Sequence, residues 1–493
     1  MKSKYAASEL IIGLSSAVGT DNTSIIDKIT EQLKEFNYNT ITIKLSKESL
    51  EPLISEDDKK KPYERAMALM DAGNNARCDS KNNSIMACAA VDIIQKKRKL
   101  QSTLDKGGLP QIPNTAFIIS SLKHPCEVLK LREIYPNNFF LFAINENEES
   151  RLQNLNNKNI GSDDAKVLIN RDADEKHEYG QHTRGVFEMA DFHLTLNSKA
   201  TSPDIGIQIS RILDLIFGNP YITPTFDEYA MFLAYASGLR SSDLSRQVGA
   251  VISNKNQEII STGANEVPMY GGGQYWPHPK TYKDAENGRD YTRGYDANKR
   301  EHHNLINNIA DSYDYKSNED KQEFLNRLIN SPIKYLTEFS RAVHAEMSAI
   351  IACARTGVSL NDATLYCSTF PCHNCAKHII GAGIKRVVYI EPYPKSKTFE
   401  LYDDSTSMDN QDDKVCFEEF IGIGPRRFFD LFSLKLSNGS SIIRKDKEGK
   451  VIPWKRKDAR LRFQMIPISY IEKEGVESLK WQTLNCNSNS EET

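Results

Sequence analysis

One spacing constrains this chain more than any other. Arg341-Ala342-Val343-His344-Ala345-Glu346-Met347 reads as the start of a helix. A strand-like stretch, residues 363–369, follows, and then Phe370-Pro371-Cys372-His373-Asn374-Cys375. If Cys372 opens a helix, the two thiols lie on one face about one turn apart. The unpaired amides of a helix start also favour the thiolate, the form that binds metal. His344 supplies a third ligand. Three protein ligands leave a fourth position open, which marks a catalytic rather than a structural zinc. Glu346 sits two residues past the histidine, turned away from its direction on a helix, so it is placed to move protons rather than to ligate. Nine cysteines in 493 residues are too sparse, and too odd in number, for a disulfide framework. Clustered cysteines in a reducing compartment point to metal instead. The remaining seven (78, 88, 126, 353, 367, 416, 486) lack the spacing, and most of them read as small buried hydrophobes.

With 63 basic and 66 acidic residues the net charge is -3, so no global cationic field draws in a polyanion. Hydrophobic residues at 39% and charged residues at 26% fit a globular protein. The first residues, Met1-Lys2-Ser3-Lys4-Tyr5, do not read as a signal peptide, and no apolar run approaches the ~20 residues of a membrane helix. The expectation is a cytoplasmic protein with no membrane partner.

At 493 residues the chain is long enough for two or more domains. Residues 8–13 read as a buried strand ending at Gly13, followed by a helix with Ile25, Ile26, Ile29 and Leu33 on one face. Residues 38–45, 117–119 and 139–142 are further strands, with a helix at 127–135 between the last two. Strands alternating with helices imply a parallel α/β sheet. A helix at 205–217 ends in Gly218-Asn219-Pro220, strong punctuation that sets a domain boundary near residue 220. A helix at 226–238 and a strand at 247–252 open the second domain. Residues 268–335 read as an insertion, carrying Gly271-Gly272-Gly273, His278, His302 and His303, where a second metal site is weighed against surface histidines. The expected division is 1–220, 221–485 and a disordered tail, 486–493.

His-x-Glu followed by Pro-Cys-x-x-Cys resembles the zinc deaminase signature. The flanks narrow the likeness. Cys375-Ala376-Lys377-His378-Ile379-Ile380-Gly381-Ala382-Gly383-Ile384, Asp243-Leu244-Ser245-Arg246-Gln247-Val248-Gly249 and Gly263-Ala264-Asn265-Glu266-Val267-Pro268 resemble deoxycytidylate deaminases over roughly residues 225–400. That resemblance implies a three-layer fold with a mixed sheet, one catalytic Zn2+ on His344, Cys372 and Cys375, and Glu346 as the proton carrier. It further implies that Asn265 meets the deoxyribose hydroxyl and that Ala345, Thr369 and Phe370 line the base pocket. Asn265 as a plain turn residue is the alternative. Glu266 departs from the family's Asn-Gly-x-Pro pattern. Assembly into a homo-oligomer through this domain is also implied.

In the N-terminal half, Gly13-Leu14-Ser15-Ser16-Ala17-Val18-Gly19-Thr20-Asp21 follows a strand and opens a helix, the context of a phosphate-binding loop. Five residues rather than four separate the glycines, and Thr20 and Asp21 stand where a lysine and a hydroxyl belong. Gly13, Gly19, Thr20 and Asp21 are the candidate contacts of a degenerate P-loop. Arg171-Asp172 and residues 179–191 sit where nucleoside-monophosphate kinases place a lid. The pairing resembles the bacterial anti-phage dCTP deaminases across nearly the whole chain: an N-terminal P-loop NTPase-like parallel sheet, then a cytidine deaminase-like mixed sheet, both three-layer α/β/α. It implies deamination of dCTP and dCMP that depletes the deoxycytidine pool, with a first domain regulated by a nucleotide or an RNA. A housekeeping dCMP deaminase is one alternative. A single-strand cytosine deaminase is another, which would need a basic aromatic groove from Arg289, Arg293 and Arg300 with Tyr291 and Tyr295, or from the stretch Trp454 to Arg462.

Overall fold

The computed structural model describes residues 8–101, 111–173, 175, 179–196, 203–409, 411–435, 439–465 and 467–490. The chain divides into two compact units. One is built from the chain up to Pro224 together with the chain from Ile421 onward, the other from Thr225–Phe420.

The first unit is laid down by five parallel strands, β1 (Leu10–Ser16), β2 (Asn39–Lys44), β3 (Thr115–Ser120), β4 (Phe139–Asn145) and β5 (Phe192–Thr195), in the order β5-β4-β1-β3-β2. Alternation along β1 serves two cores at once. Ile11 packs with helices Ile85–Gln101 and Pro125–Ile134, while Leu10, Ile12 and Leu14 face helices Asn22–Lys34 and Ile205–Ile216. Beside β1 the chain path reverses: from β1 it runs to β2 on one side, and from β3 it crosses to β4 on the other. Such a reversal is where open α/β sheets leave a crevice at their carboxyl ends. Of the segment expected as a lid, residues 174 and 176–178 lie outside the described residues. Arg171 and Asp172 close helix Ser162–Ala173, and helix Thr183–Glu188 follows.

The second unit holds β6 (Gly249–Ser253), β7 (Ile259–Ala264), β8 (Thr364–Thr369), β9 (Arg386–Glu391), β10 (Thr406–Ser407) and β11 (Val415–Glu419), in the order β10-β11-β9-β8-β6-β7. β8, β9, β11 and β10 run parallel, and β6 is antiparallel to both β8 and β7. Helix Phe226–Gly238 covers one face through Met231 and Ala234, against Val251, Tyr366 and Val388. Helices Ala345–Thr356 and His373–Gly381 cover the other through Ala349, Cys353, Ala376 and Ile379. Gly263 decides how closely the first of these approaches, because a Cβ there would stand 2.1 Å from the Ala345 carbonyl oxygen. The insertion between β7 and residue 345 folds as helices Asp290–Arg293, Ala297–Asp311 and Asn318–Ile329.

Three expectations are corrected here. The second domain does not run to residue 485: after Phe420 the chain returns to the first unit, where β12 (Gly422–Ile423) pairs antiparallel with β5 and makes that sheet mixed rather than purely parallel. Residues 486–490, expected to be disordered, end the long helix Pro467–Ser490, while 491–493 lie outside the described residues. That helix is clamped by charge. Arg98, 2% exposed, pairs with Glu9 at 2.8 Å and with Glu474 at 2.5 Å, and the hydroxyls of Tyr470 and Tyr135 donate to those two carboxylates. Of the seven cysteines outside the motif, most are buried as expected, Cys88, Cys353, Cys367 and Cys416, while Cys78 and Cys486 are exposed.

Candidate metal centre and its cavity

Two helix starts meet at the carboxyl end of the second sheet. His344 is the N-cap of helix Ala345–Thr356 and Cys372 the N-cap of helix His373–Gly381; neither makes a side-chain capping hydrogen bond. Both turn inward. His344 Nδ1 lies 3.3 Å from Cys372 Sγ and 3.4 Å from Cys375 Sγ. The three ligand atoms all lie within 4.8 Å of one another, and among the described residues no other group of three or more His, Cys, Asp or Glu side chains is so disposed. The second metal site considered for His278, His302 and His303 thus has no cluster to hold it. Two sulfurs and an imidazole with room for one more ligand suit zinc.

The electrostatics follow from crowding. Hydrogen bonding from Cys375 and His344 holds the Cys372 thiol well below its ordinary pKa against the opposing effect of burial, while Cys375, bonded to that sulfur, is pushed up. His344 rises to about 9, first through its bond to Cys372. Burial raises the carboxyl of Glu346, which is 4% exposed.

A cavity of about 300 Å³ opens beside these groups. It is lined by His344, Ala345, Glu346 and Cys372 together with Asn265, Thr369 and Phe370, so the sequence-derived set converges on one space, with Cys375 buried just behind it. The Asn265 amide is engaged at both ends. Its Oδ1 accepts from Val248 N at 2.7 Å and its Nδ2 donates to the Arg246 carbonyl at 2.9 Å, so it fixes the segment 246–248 against the cavity. Thr369 donates to Glu391 at 2.8 Å, and the same carboxylate takes Arg246 at 2.7 Å. Phe370 is packed edge-on against Tyr389.

Sequence reasoning missed several lining residues. Arg246 lay within a quoted motif without a role. Tyr393 and Lys395 follow β9, and Asp290, Asp296 and Asn298 come from the insertion. Ion pairs that no local pattern signals tie the insertion down. Arg341 donates to Asp290 at 2.6 Å, and buried Arg289 stands 3.4 Å from Glu266, the residue that departs from the family pattern.

The comparisons with known proteins fall on this unit. Residues 224–391 match the cytidine and deoxycytidylate deaminase zinc-binding region. The deoxycytidylate deaminase of Enterobacteria phage T4 is 34% identical over 169 residues, 34% of this chain and 77% of the phage protein. The chain belongs to the deoxycytidylate deaminase family. Deoxycytidylate deaminase of Homo sapiens is 27% identical over 163 residues, 33% of this chain and 63% of that protein. Among solved structures, dCMP deaminase from the cyanophage S-TIM5 in complex with dCMP and dUMP aligns with 41% of this chain and 100% of its own, at 19% identity and a TM-score of 0.23.

The proposed phosphate loop of the first unit looks different in place. Gly13 is inside β1 rather than in the turn; a Cβ there would meet Leu122 at 2.7 Å and Phe139 at 2.8 Å. Gly19 has φ +90 and presses against Arg151. The loop amides are already engaged: Val18 N donates to Asp172 and Thr20 N to the Ala17 carbonyl, while Asp21 N donates to Glu146. Asp21 itself caps the following helix, accepting from Thr23 N and Ser24 N.

Proposed function

We propose that the second unit hydrolyses the exocyclic amine of deoxycytidine nucleotides, dCMP and dCTP, giving the deoxyuridine nucleotide and ammonia. One observation carries the reading: His344, Cys372 and Cys375 converge on a single point at the edge of a small cavity into which a buried glutamate, Glu346, also faces. These three side chains would hold a zinc ion, which when bound would lower the pKa of a water toward neutrality and so make it a nucleophile. Glu346 would take a proton from the attacking water and pass it to ring nitrogen N3, then take the remaining proton from the new C4 hydroxyl and give it to the amine as the C4–N bond breaks, so that one water is consumed and one ammonia released. Ala345, Thr369 and Phe370 form the base pocket, with Asn265 holding its floor and meeting the sugar. Burial of Glu346 suits a group that must hold a proton between steps.

The first unit, with its degenerate phosphate loop, is proposed to restrain the deaminase until a signal arrives, and depletion of the dCTP pool during phage infection is the proposed outcome. The chain is proposed to act in the cytoplasm as a homo-oligomer. Among the described residues, no helix is long and apolar enough to cross a membrane. The single-strand reading loses three of its cations to other partners. Arg289 is 5% exposed and ion-paired, Arg456 is bound by Asp214 and Glu35, and Arg462 donates to main-chain carbonyls.

The test is ammonia release and product identity for purified full-length protein with dCMP, dCTP, CMP, CTP and a cytosine-containing single-stranded oligonucleotide in parallel. Turnover confined to the deoxynucleotides supports the proposal. Turnover of the oligonucleotide alone would replace it with the nucleic-acid reading.

A further inference from the structure

At the carboxyl ends of β1, β2 and β3 the first unit encloses a cavity of about 650 Å³, the size of a small-molecule site, and the Ser16–Thr20 loop forms one of its walls. Its charge is unbalanced. Five cationic side chains line it, Lys59, Arg65, Arg77, Lys123 and Lys158, against two carboxylates, Glu127 and Asp172. Both carboxylates are used: Arg77 pairs with Glu127 at 2.7 Å and Lys123 with Asp172 at 2.7 Å. Lys59 and Arg65 meet carboxylates that do not line the cavity, Glu56 at 2.7 Å and Glu51 at 3.1 Å. Both pairs reach solvent, where an ion pair is weak and an incoming anion competes with it. Lys158 is exposed and has no carboxylate partner among the described residues.

The charges are sorted by depth. The paired Arg77 and Glu127 are 2% and 1% exposed, so the inner part of the cavity is electrically neutral. The three cations that no lining carboxylate answers sit nearer solvent. Leu155 and Ile160, on either side of Lys158, pack in one cluster with Met70, and Ala66 and Val18 lie against it. The turn bearing Lys158 thus stands beside the start of helix Pro62–Ser80, which bears Arg65, with the loop adjoining both. The mouth of the cavity is cationic.

The inner part asks for a polar partner of another kind. Four lining side chains carry a buried polar atom with no hydrogen-bond partner: Thr20 Oγ1, Asn22 Oδ1, Gln181 Oε1 and Arg77 Nε. Buried polar atoms are ordinarily paired, so four around one space mark a place where a ligand completes the bonding. Buried Met70 and Met86 line the same space, and methionine sulfur packs favourably on aromatic rings. Ser121, also lining it, holds φ +72, a left-handed conformation concentrated at ligand sites.

We infer that this cavity binds a nucleoside polyphosphate with its base inward, on Thr20, Asn22, Gln181 and Arg77, and its phosphates at the mouth, on Lys59, Arg65 and Lys158. The three side-chain oxygens accept ring or amino N–H groups, and Arg77 Nε donates to a ring acceptor. The orientation is the reverse of one in which the loop amides cradle the phosphates, since Val18 N and Thr20 N are already bonded within the chain. This assigns a ligand class to the restraint proposed for the first unit. Binding is read directly, so its failure and a failure of the deamination proposal are separate results.

The experiment is calorimetric titration of the full-length protein, in magnesium-free buffer, with ATP, GTP and dTTP, with the matching monophosphates and nucleosides, and with inorganic triphosphate. At least one triphosphate is expected to bind once per chain with a Kd of about 100 µM or tighter. Its nucleoside and inorganic triphosphate should each bind at least about tenfold more weakly, with the monophosphate between. Lys158→Glu, at an exposed position, should weaken the triphosphate about tenfold and leave the nucleoside unchanged. Thr20→Val should weaken both about fivefold by removing one hydroxyl. If Thr20→Val fails to fold, Gln181→Leu takes its place. No binding by any triphosphate, a nucleoside or inorganic triphosphate that binds as tightly as the nucleotide, or nucleotide binding unaffected by the folded variants would each overturn the assignment.

Discussion

The two units use the same structural device and leave it in opposite states. In each, a helix begins at the carboxyl edge of a sheet, where unpaired amides and a converging field favour anionic groups. In the second unit the caps are His344 and Cys372; neither makes a side-chain capping hydrogen bond, and both stand at a shared centre with Cys375. In the first unit the cap is Asp21, which satisfies Thr23 N and Ser24 N, while Asp172 and Glu146 take the amides of Val18 and Asp21. A helix start becomes a reactive centre when its cap is a metal ligand turned away from it. It becomes scaffold when a carboxylate from the same chain fills it. Motif spacing alone does not separate the two outcomes, because the filling groups come from 154 and 125 residues away.

The largest expected effect follows from emptying the open centre. Cys375→Ser removes a buried sulfur ligand, so zinc content by atomic absorption should fall well below one per chain and deamination should drop by about 10³-fold or more. Gly263→Val attacks the same centre from behind. A side chain there meets the Ala345 carbonyl, so the helix must shift away from β7, with a stability loss of roughly 1–3 kcal/mol and turnover down about 10²-fold. Asn265→Ala frees Val248 N and the Arg246 carbonyl and should lower kcat/KM about tenfold while zinc stays bound.

The filled site should respond in stability rather than chemistry. Asp172→Ala leaves half-buried Lys123 without its ion-pair partner and Val18 N without its acceptor, and should cost the first unit about 2 kcal/mol in urea unfolding, with kcat per bound zinc unchanged. The smallest effect is pH-dependent. Burial lowers His193, in β5, to about 4, so the folded unit stays neutral where the unfolded chain takes up a proton. Stability of the first unit is therefore complete above about pH 6.5 and declines as pH falls toward 4. Urea midpoints for that unit at pH 7 and pH 5 measure it, and an unchanged midpoint would show that His193 is solvated.

Much of this was legible in the residues. The apolar runs of β1, β3 and β4 and the helix Phe226–Gly238 follow from their patterns, and the three side chains of the candidate metal centre from their spacing and the signature it resembles. The C-terminal helix was not legible, because its inward face interrupts Tyr470 and Trp481 with polar residues: Glu474 and Ser478 are among its most buried, and they meet Arg98 and Asp92. Hydrophobic periodicity cannot register such a face. Gly13 was misplaced because its glycine serves close packing inside a strand, where Leu122 and Phe139 crowd it, and not a turn. Glu391, which joins Thr369 to Arg246, carries no motif. Only the fold brings β8, β9 and the segment before β6 together at the cavity.

The central claim is that Glu346 carries protons at a zinc site it does not help to build. Glu346→Ala in the full-length protein, with zinc content and ammonia release from dCMP and dCTP measured on the same preparation, tests it most directly. The account predicts one zinc per chain, an unaltered fold and turnover reduced by about 10²- to 10⁴-fold. Zinc-loaded Glu346→Ala protein that still turns over at a rate near the wild type would contradict it.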